Sequence, residues 1–454
     1  MKQNILRILN CIFFCIVVIL VLGKCSSVMQ RKESLQKYGP FFEHAKDYDV
    51  LFMGSSHMIN AVYPMELWEH YGITSYNLGG HQNQLPTTYW VTENALDYAH
   101  PKAVVIDCHY LLRNDKTPST FENMHLSFDS FPFSITKARA VFDLLDKKEI
   151  KRWKEEDEEI SAEKRSRLGL LWDYSVYHVR WEEISKEDFE VEMTTEYGAE
   201  SRVLVAQPGP VADNSGKKFE GETVGIEYLE KTIENCKKRG ITVILTFLPY
   251  PIGSEDRWKD VNTVYDIAKK HDIAYLDFLA MNIVDFTTDC FDTDSHLNPS
   301  GAWKVTDQLG KYLHDTVGIP DHRGDAVYQY WDESYGIYQS EKIARLDEAD
   351  DLNTYLMLLS DPNIEYAVAV GDPRIYDDEV TAHLLAAKGK TPDIMEAELP
   401  AVTEGQIGII AFDKRTHEML HAAGFAMPEM LHDEERHANE FGIVVMDSYA
   451  RRIY

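Results

Sequence analysis

The amino-acid sequence predicts an α/β protein in which a doubly wound parallel sheet carries a helical insertion and is followed by a smaller α+β domain. Three observations lead to this prediction. Strand-like and helix-like segments alternate on both sides of residues 111–221, an order that builds parallel sheets through right-handed crossovers. Residues 111–221 interrupt the alternation with charge-rich helical sequence. Beyond residue 321, strands and helices mix in another pattern.

The composition is that of a large, acidic, globular protein. The chain has 454 residues, 44% of them hydrophobic and 27% charged, and this length suggests two or three domains. The formal net charge is −29. Because a strongly negative surface repels phosphate backbones, we expect no nucleic-acid partner.

The N-terminus has the pattern of a membrane anchor. Lys2 and Arg7 precede a continuous apolar run, Cys11–Gly23. The run suits a signal-peptide core, and extending it back to Ile5 gives a short membrane span. The length favours an uncleaved signal anchor over residues 1–29, with a cleaved signal peptide as the alternative. We therefore expect a single-pass protein of the cell membrane whose remaining chain is extracytoplasmic.

The segments after the anchor predict the elements of the sheet in order. A polar stem over residues 30–46 leads to a strand that ends in a Gly-Ser turn, "DYDVLFMGSSH", and to a second strand, "GITSYNLGGHQ". A helix and a third strand, "PKAVVIDCHY", follow. After the insertion, a helix closed by Gly240 precedes the strand "ITVILTFLPYP". One more helix and strand lead to a loop and a final helix, "DTDSHLNPSGAWKVTDQL".

Two sites in this pattern predict nucleophilic chemistry. A strand that ends in Gly-x-Ser places a hydroxyl at the carboxyl edge of a parallel sheet, where open α/β folds bind ligands. Serine needs a base, and His296 lies on the loop before the last helix, close to Asp292 and Asp294. A carboxylate beside a histidine can hold its tautomer and stabilise the imidazolium. Asn298 or Ser300 is expected to cap the helix.

The blocks "FMGSSHM", "YNLGGHQ" and "DSHLNPSGAWKVTDQL" resemble those of the SGNH/GDSL hydrolase superfamily, in particular its membrane-anchored branch of D-alanyl-transfer and polysaccharide O-acetylation proteins. The resemblance covers about residues 47–317 apart from the insertion. It implies that Ser56 is the nucleophile, that His296 is the base, and that Asp294 is the acid, with Asp292 in reserve. It also implies that Gly79 or Gly80 donates to the oxyanion.

The chain departs from this family at one block. Gly-x-Asn-Asp is absent, and "VVIDCHYLLRND" stands there, with Asp107 at the strand end. The side-chain donor to the oxyanion is therefore open between Asn77, Gln82 and Asn114. We assign residues 47–320 to the SGNH-like domain, with its insertion at about 111–221.

Residues 321–454 are predicted to form the α+β domain. "YAVAVGDP" and "GIIAFDKRTHEMLHAAGF" weakly resemble domains of the interleukin-like EMT inducer type, which are non-catalytic. Within this region His417, Glu418 and His421 match the His-Glu-x-x-His zinc motif, which makes a zinc peptidase a remote alternative. The surrounding pattern predicts strand, turn and strand. Residues four apart on a strand lie roughly 13 Å apart, too far to share one ion.

These predictions combine into one functional hypothesis. The chain is expected to be a serine acyltransferase or esterase that acts on acyl groups, foremost O-acetyl groups, of a cell-surface polysaccharide. The chemistry requires no metal or organic cofactor. The family branch also implies a membrane-bound protein that supplies the acyl donor. The alternative is a non-catalytic carbohydrate-binding or assembly factor on the same fold, which the missing block favours.

Overall fold

The computed structural model describes residues 2–30, 32–156, 166–172, 174–191, 194–293, 296–371, 377–387, 402 and 405–426. Its first helix, α1, contains the one described stretch that is long and apolar enough to cross a membrane, Ile5–Met29. Those 25 residues extend about 37 Å at about 1.5 Å per residue, against about 30 Å of bilayer hydrocarbon. The helix is therefore longer than the predicted apolar run and is compatible with a single-pass anchor.

Five parallel strands form the central sheet, in the order β2-β1-β3-β4-β5. Each strand is short, and all of them are mostly buried except the half-buried edge strand β5. The strands are β1 Val50–Met53, β2 Ser75–Asn77, β3 Ala103–Asp107, β4 Thr242–Phe247 and β5 Ala274–Asp277. The strand order reverses between β1 and β3, and ligands of open α/β sheets bind at the carboxyl ends of the strands that flank such a reversal.

Helices surround this sheet, extend along the insertion and link the sheet to the C-terminal strands. They are α1 Lys2–Met29, α2 Lys32–Glu43, α3 Ser56–Ala61, α4 Pro64–Tyr71, α5 Leu85–Ala95, α6 Phe121–Phe128, α7 Ile135–Leu144, α8 Lys147–Glu156, α9 Arg167–Leu171, α10 Tyr174–Tyr177, α11 Val224–Lys238, α12 Trp258–His271, α13 Phe278–Met281, α14 Pro299–Tyr312, α15 Gln329–Glu348, α16 Leu352–Leu358 and α17 Glu379–Ala387. Short 3₁₀ segments cover His178–Glu182, Lys186–Asp188 and Ala326–Tyr328, and a π-helical turn covers Leu313–Val317.

The sheet is covered on both faces because its side chains alternate between two apolar cores. In β1, Leu51 and Met53 belong to one core, and Val50 and Phe52 belong to the other. Residues of α5, α11 and α12 line the first core, and residues of α3 and α14 line the second. Strands buried on both faces read as continuous apolar runs, which is how the sequence presents them. The predicted doubly wound α/β class is confirmed.

The C-terminal region is built on a separate antiparallel sheet, in the order β6-β7-β8. Its strands are β6 Ile364–Val370, β7 Gln406–Asp413 and β8 Met419–Ala426. With α16 and α17 they enclose a third apolar core, which fits the predicted α+β character. The preceding helix α15 differs, since Trp331 and Tyr338 lie in the first core of the main sheet. These aromatic side chains of α15 therefore dock on the main body.

Candidate active site

Ser56 lies where β1 meets α3, at the carboxyl edge of the sheet. Gly54 allows the close approach of this turn to β3, because a Cβ on Gly54 would lie 2.8 Å from the Cβ of Asp107. Ser55 is the N-cap of α3, and its Oγ accepts the N–H of His57 at 3.3 Å. The next residue, Ser56, is the first of the helix. Its N–H finds no acceptor among the described residues, as expected in a first helical turn.

A chain of hydrogen bonds joins Ser56 to two side chains of the loop before α14, which lies far along the sequence. Ser56 Oγ lies 2.8 Å from His296 Nε2. On the other side of the ring, His296 Nδ1 lies 2.7 Å from Asp292 Oδ2. Because the carboxylate accepts the Nδ1 proton, the neutral imidazole presents Nε2 as an acceptor to the Ser56 hydroxyl. This arrangement is the one in which histidine can take a proton from serine.

The loop that carries His296 is fixed by backbone pairing and by one buried asparagine. Phe291 N donates to His296 O at 3.0 Å, and Asp292 Oδ1 accepts His296 N at 2.9 Å. Asn298 caps α14, its Oδ1 accepting Gly301 N at 3.3 Å. Its Nδ2 donates to the carbonyl oxygen of Thr288 at 2.8 Å. These bonds set the orientation of the imidazole before any ligand arrives.

The carboxylate beside His296 belongs to Asp292, the reserve candidate for the acid. Asp294, which the sequence favours, lies outside the described residues. Asp292 occupies the Nδ1 position and also holds the His296 backbone. Of the two candidates, Asp292, four residues before the histidine, is therefore the one that the described structure places against the imidazole.

The predicted glycine donors and Asn77 are engaged in the scaffold of the turn. Gly80 N donates to Gly54 O at 3.0 Å, and Gly79 N donates to Asn77 Oδ1 at 3.1 Å. Asn77 Nδ2 donates to the carbonyl oxygens of Met58 and Val62 at 2.8 and 2.9 Å, so this fully buried amide ties α3 to β2. In this structure these groups have other acceptors than an oxyanion.

The two remaining amide candidates also bond elsewhere. Gln82 Oε1 accepts the backbone N–H of Ser119 at 3.3 Å as well as its hydroxyl. Asn114 Oδ1 accepts Val224 N at 3.1 Å, at the start of α11. Both amides hold the ends of the insertion to the main body. The structure therefore brings together Ser56, His296 and Asp292, while the described hydrogen bonds of Asn77, Gln82 and Asn114 go to other residues.

Asp107 lies beside Ser55 at the end of β3. Its Oδ2 is 3.5 Å from Ser55 Oγ, and its Oδ1 accepts Leu248 N at 3.3 Å. Burial raises the pKa of Asp107 to about 7, and the hydrogen bonds that it accepts limit the rise. It supports the turn that carries Ser55 and Ser56.

Three neutral rings pack together beside the site. The ring of His57 lies 4.7 Å from that of His296 and 3.9 Å from that of His109. Tyr250 packs on both, at 5.2 and 4.8 Å. Burial, followed by the positive charge of neighbouring groups, holds the pKa of His57 and of His109 well below its usual range. The buried Tyr250 hydroxyl has no partner among the described residues. His109 follows β3 by two residues, which is the signal that could have identified it.

The zinc motif does not form a helical site. His417 lies in the turn between β7 and β8 with a φ of +59°, and His421 lies on β8. His421 Nδ1 is 2.9 Å from the Tyr355 hydroxyl, and its Nε2 is 2.8 Å from Asp347. The strand, turn and strand that the sequence predicted are present in residues 406–426. The helix that the motif requires is absent from this described segment.

Comparison with known proteins gives little beyond this geometry. No protein-family model matches the chain, and no curated protein is similar to it. A crystal structure of a proposed acylhydrolase from Bacteroides fragilis is similar over 63% of this chain and 98% of its own, at 11% identity and a TM-score of 0.31. No residue role or activity is transferred from so distant a similarity.

Proposed function

We propose that this chain is a serine esterase or acyltransferase with Ser56 as the nucleophile, His296 as the general base and Asp292 as the group that orients His296. The observation that carries the proposal is the unbroken hydrogen-bond chain through these residues, with donor–acceptor distances of 2.8 and 2.7 Å. Ser56 lies at the point where the strand order reverses between β1 and β3, and open α/β sheets bind ligands at such a point.

The reaction follows from the proton positions. His296 Nε2 takes the Ser56 proton as Oγ bonds to the acyl carbon, and Asp292 stabilises the imidazolium that forms. The N–H of Ser56, which has no helical acceptor, is available to the developing oxyanion. As the intermediate collapses, the bond from carbon to the leaving alcohol breaks and His296 returns the proton to that alcohol. Water or a sugar hydroxyl then attacks the acyl-serine by the reverse steps.

The uncharged side chains beside the site favour a substrate with a small, uncharged acyl group. His57 and His109 stay neutral because burial disfavours their charged forms, and Tyr250 adds a third uncharged ring. An O-acetyl group suits such surroundings better than an acyl group that bears a charge, because a buried charge needs a partner.

The polymer is proposed from the rest of the chain. A single apolar helix compatible with a membrane anchor and the resemblance to the anchored SGNH branch support an extracytoplasmic enzyme that acts on a cell-surface polysaccharide. A membrane protein would supply the acyl donor. The net charge of −29 favours a neutral or cationic polymer, because an anionic one would be repelled.

A second candidate is a carbohydrate-binding or assembly factor without catalysis. The observation that favours it is that the Nδ2 group of Asn77, one of the predicted oxyanion donors, donates to the carbonyl oxygens of Met58 and Val62 instead. Losing one oxyanion donor costs about 10²- to 10³-fold in rate, so the proposed enzyme would be slow unless another donor replaces the amide.

One experiment separates these candidates. The full chain in detergent is treated with a fluorophosphonate probe, the labelled peptide is mapped by mass spectrometry, and acetate release from an acetylated oligosaccharide is followed. We expect the label on Ser56, its loss in Ser56→Ala and its retention in the neighbouring control, Ser55→Ala. Absence of both label and acetate release in protein with native circular dichroism would favour the binding factor.

A further inference from the structure

We infer that part of the insertion is a second membrane contact, which lies in the interfacial region of the same bilayer that α1 enters. The inference rests on the proposed role of α1 as an anchor, and it concerns a surface that the proposed reaction does not use. We call this surface the apron. It consists of the exposed apolar side chains of residues 133–189, namely Phe133, Ile135, Phe142, Leu168, Trp172, Val179, Trp181, Ile184 and Phe189.

The apron is attached directly to the end of α1. Helix α1 packs against α10 and against the 3₁₀ segment of residues 178–182. Arg180 Nη1 donates to the carbonyl oxygens of Met29 and Gln30 at 2.7 and 2.9 Å. Its Nη2 donates to Asp188 at 2.9 Å, and Lys32 lies 3.6 Å from the same carboxylate. These bonds fix the insertion at the point where the chain leaves the apolar helix.

The other elements of the apron continue from there. Helix α10 packs on α9, and α9 packs on α7, so the insertion forms a series of contacts that starts at the anchor. Outside α1, the described chain exposes fifteen large apolar side chains, and nine of them belong to the apron. This concentration beside the anchor is the reason to assign them a common surface.

The composition of the apron favours lipid as its occupant. Trp181 is 62% exposed and Phe189 is 66% exposed, and large exposed apolar patches mark interaction surfaces. Tryptophan is enriched at membrane–water interfaces, where its ring is buried and its N–H stays near water. Because α1 itself belongs in the hydrocarbon, a surface continuous with its end lies at the height of the lipid headgroups.

The apron would restrict the orientation of the protein on the membrane. A single helix permits the body to rotate about the helix axis and to tilt, whereas a second contact in the bilayer limits both motions. Such a surface would hold the site in a constant relation to the bilayer that anchors it.

Tryptophan fluorescence tests the inference in the intact chain. The eight tryptophans all lie outside α1, so quenching by brominated lipid reports on the body alone. The full chain is inserted into lipid nanodiscs, one chain per disc, with bromine placed at a shallow or at a deep acyl position. We expect quenching that is stronger from the shallow position, because interfacial segments bury about 5–10 Å into the headgroup boundary.

Paired variants locate the contact. Trp172→Phe/Trp181→Phe should remove more than half of the quenching, whereas the matched control Trp90→Phe/Trp258→Phe should retain it. Absence of quenching in the unmodified chain, or equal quenching in the two variants, would overturn the inference. If a protein partner or a second copy of the chain covered the apron instead of lipid, the unmodified chain would show no quenching. Fluorophosphonate labelling of the same discs keeps a failure of the proposed chemistry separate, because neither pair contacts Ser56.

Discussion

Two clusters of ionisable side chains in this protein are assembled from distant parts of the sequence, and they end differently. In the first, hydrogen bonds run from Asp292 through His296 and stop at the hydroxyl of Ser56. In the second, which we call the clamp, Lys342 of α15 lies 2.7 Å from Glu66 of α4 and 2.5 Å from Asp361. The clamp pairs its charges with one another, whereas the hydrogen-bond chain of the site ends on an uncharged hydroxyl.

The two clusters also differ in how far their side chains are exposed to solvent. The side chain of His296 is 19% exposed, while those of Lys342 and Glu66 are 6% and 3% exposed. Burial would raise the pKa of Glu66, but Lys342 and His70 outweigh it and lower that pKa to about 2. At the site, burial prevails and leaves His57 and His109 neutral. The buried pair satisfies its charges internally, whereas the hydrogen-bond chain at the site leaves a serine hydroxyl beside a histidine that can take its proton.

The largest effect should come from removing the base. His296→Ala leaves Ser56 without a proton acceptor, and we expect acetate release to fall by about 10³- to 10⁴-fold, since general base catalysis is worth about 10²- to 10⁴-fold and a triad base more. The thermal midpoint should stay near that of the unmodified chain. His314→Ala, which removes an exposed histidine, is the control. Full activity in His296→Ala would remove the difference between the two clusters.

Breaking the clamp should produce the opposite pattern. Lys342→Ala removes the cation that Glu66 and Asp361 share, and removing one partner of a buried pair costs about 3–5 kcal/mol of stability. Urea unfolding followed by tryptophan emission measures this loss, while the rate per folded molecule should persist. The matched control is Lys186→Ala, since the pair Lys186–Glu190 is 77% and 68% exposed. Equal losses from the two variants would mean that burial of the clamp contributes nothing.

Removing the carboxylate of Asp292 should lower acetate release less than removing the imidazole of His296. Asp292→Ala keeps His296 but removes the acceptor of its Nδ1 proton, so we expect acetate release to fall by about 10²- to 10³-fold. Asp294→Ala should stay within a factor of a few of the unmodified chain. The reverse order of the two variants would return the role to Asp294, the residue that the sequence favours.

The strands can be predicted from the sequence, and Ser56 and His296 can be singled out as candidates, because both inferences depend on local sequence pattern. Apolar runs that end in Gly-x-Ser determine the turn at Ser56 without reference to the rest of the chain. The choice between Asp292 and Asp294 depends instead on the shape of the loop, which is held by the bridge between Cys290 and Leu297 and by the bond from Asn298 Nδ2 to the distant carbonyl oxygen of Leu204. Spacing alone cannot reveal such bonds.

The other differences between the sequence predictions and the structure also arise from bonds that local sequence does not encode. Gly80 matches the donor glycine of the resembling family, but its N–H is taken by Gly54 O, a pairing between two loops that no local pattern encodes. The aromatic segment at Trp331 lies beyond the predicted domain boundary at 321, yet it packs into the core of the main sheet. Long-range contacts, rather than local propensity, decide both outcomes.

The smallest effect concerns Asp107, the carboxyl that supports the turn at Ser56, and it depends on pH. Burial raises its pKa from about 4 in the unfolded chain to about 7 in the folded protein. Its contribution to stability is therefore complete below about pH 4 and is lost as the pH rises through 7, a change of at most about 4 kcal/mol. Asp107→Asn cannot ionise, so its stability relative to the unmodified chain should increase between pH 4.5 and 8. Urea unfolding at several pH values measures the difference, and Asp325→Asn, on an exposed turn, should leave the pH dependence unchanged. A constant difference between Asp107→Asn and the unmodified chain would mean that Asp107 is charged throughout, and the site would then hold a buried charge as the clamp does.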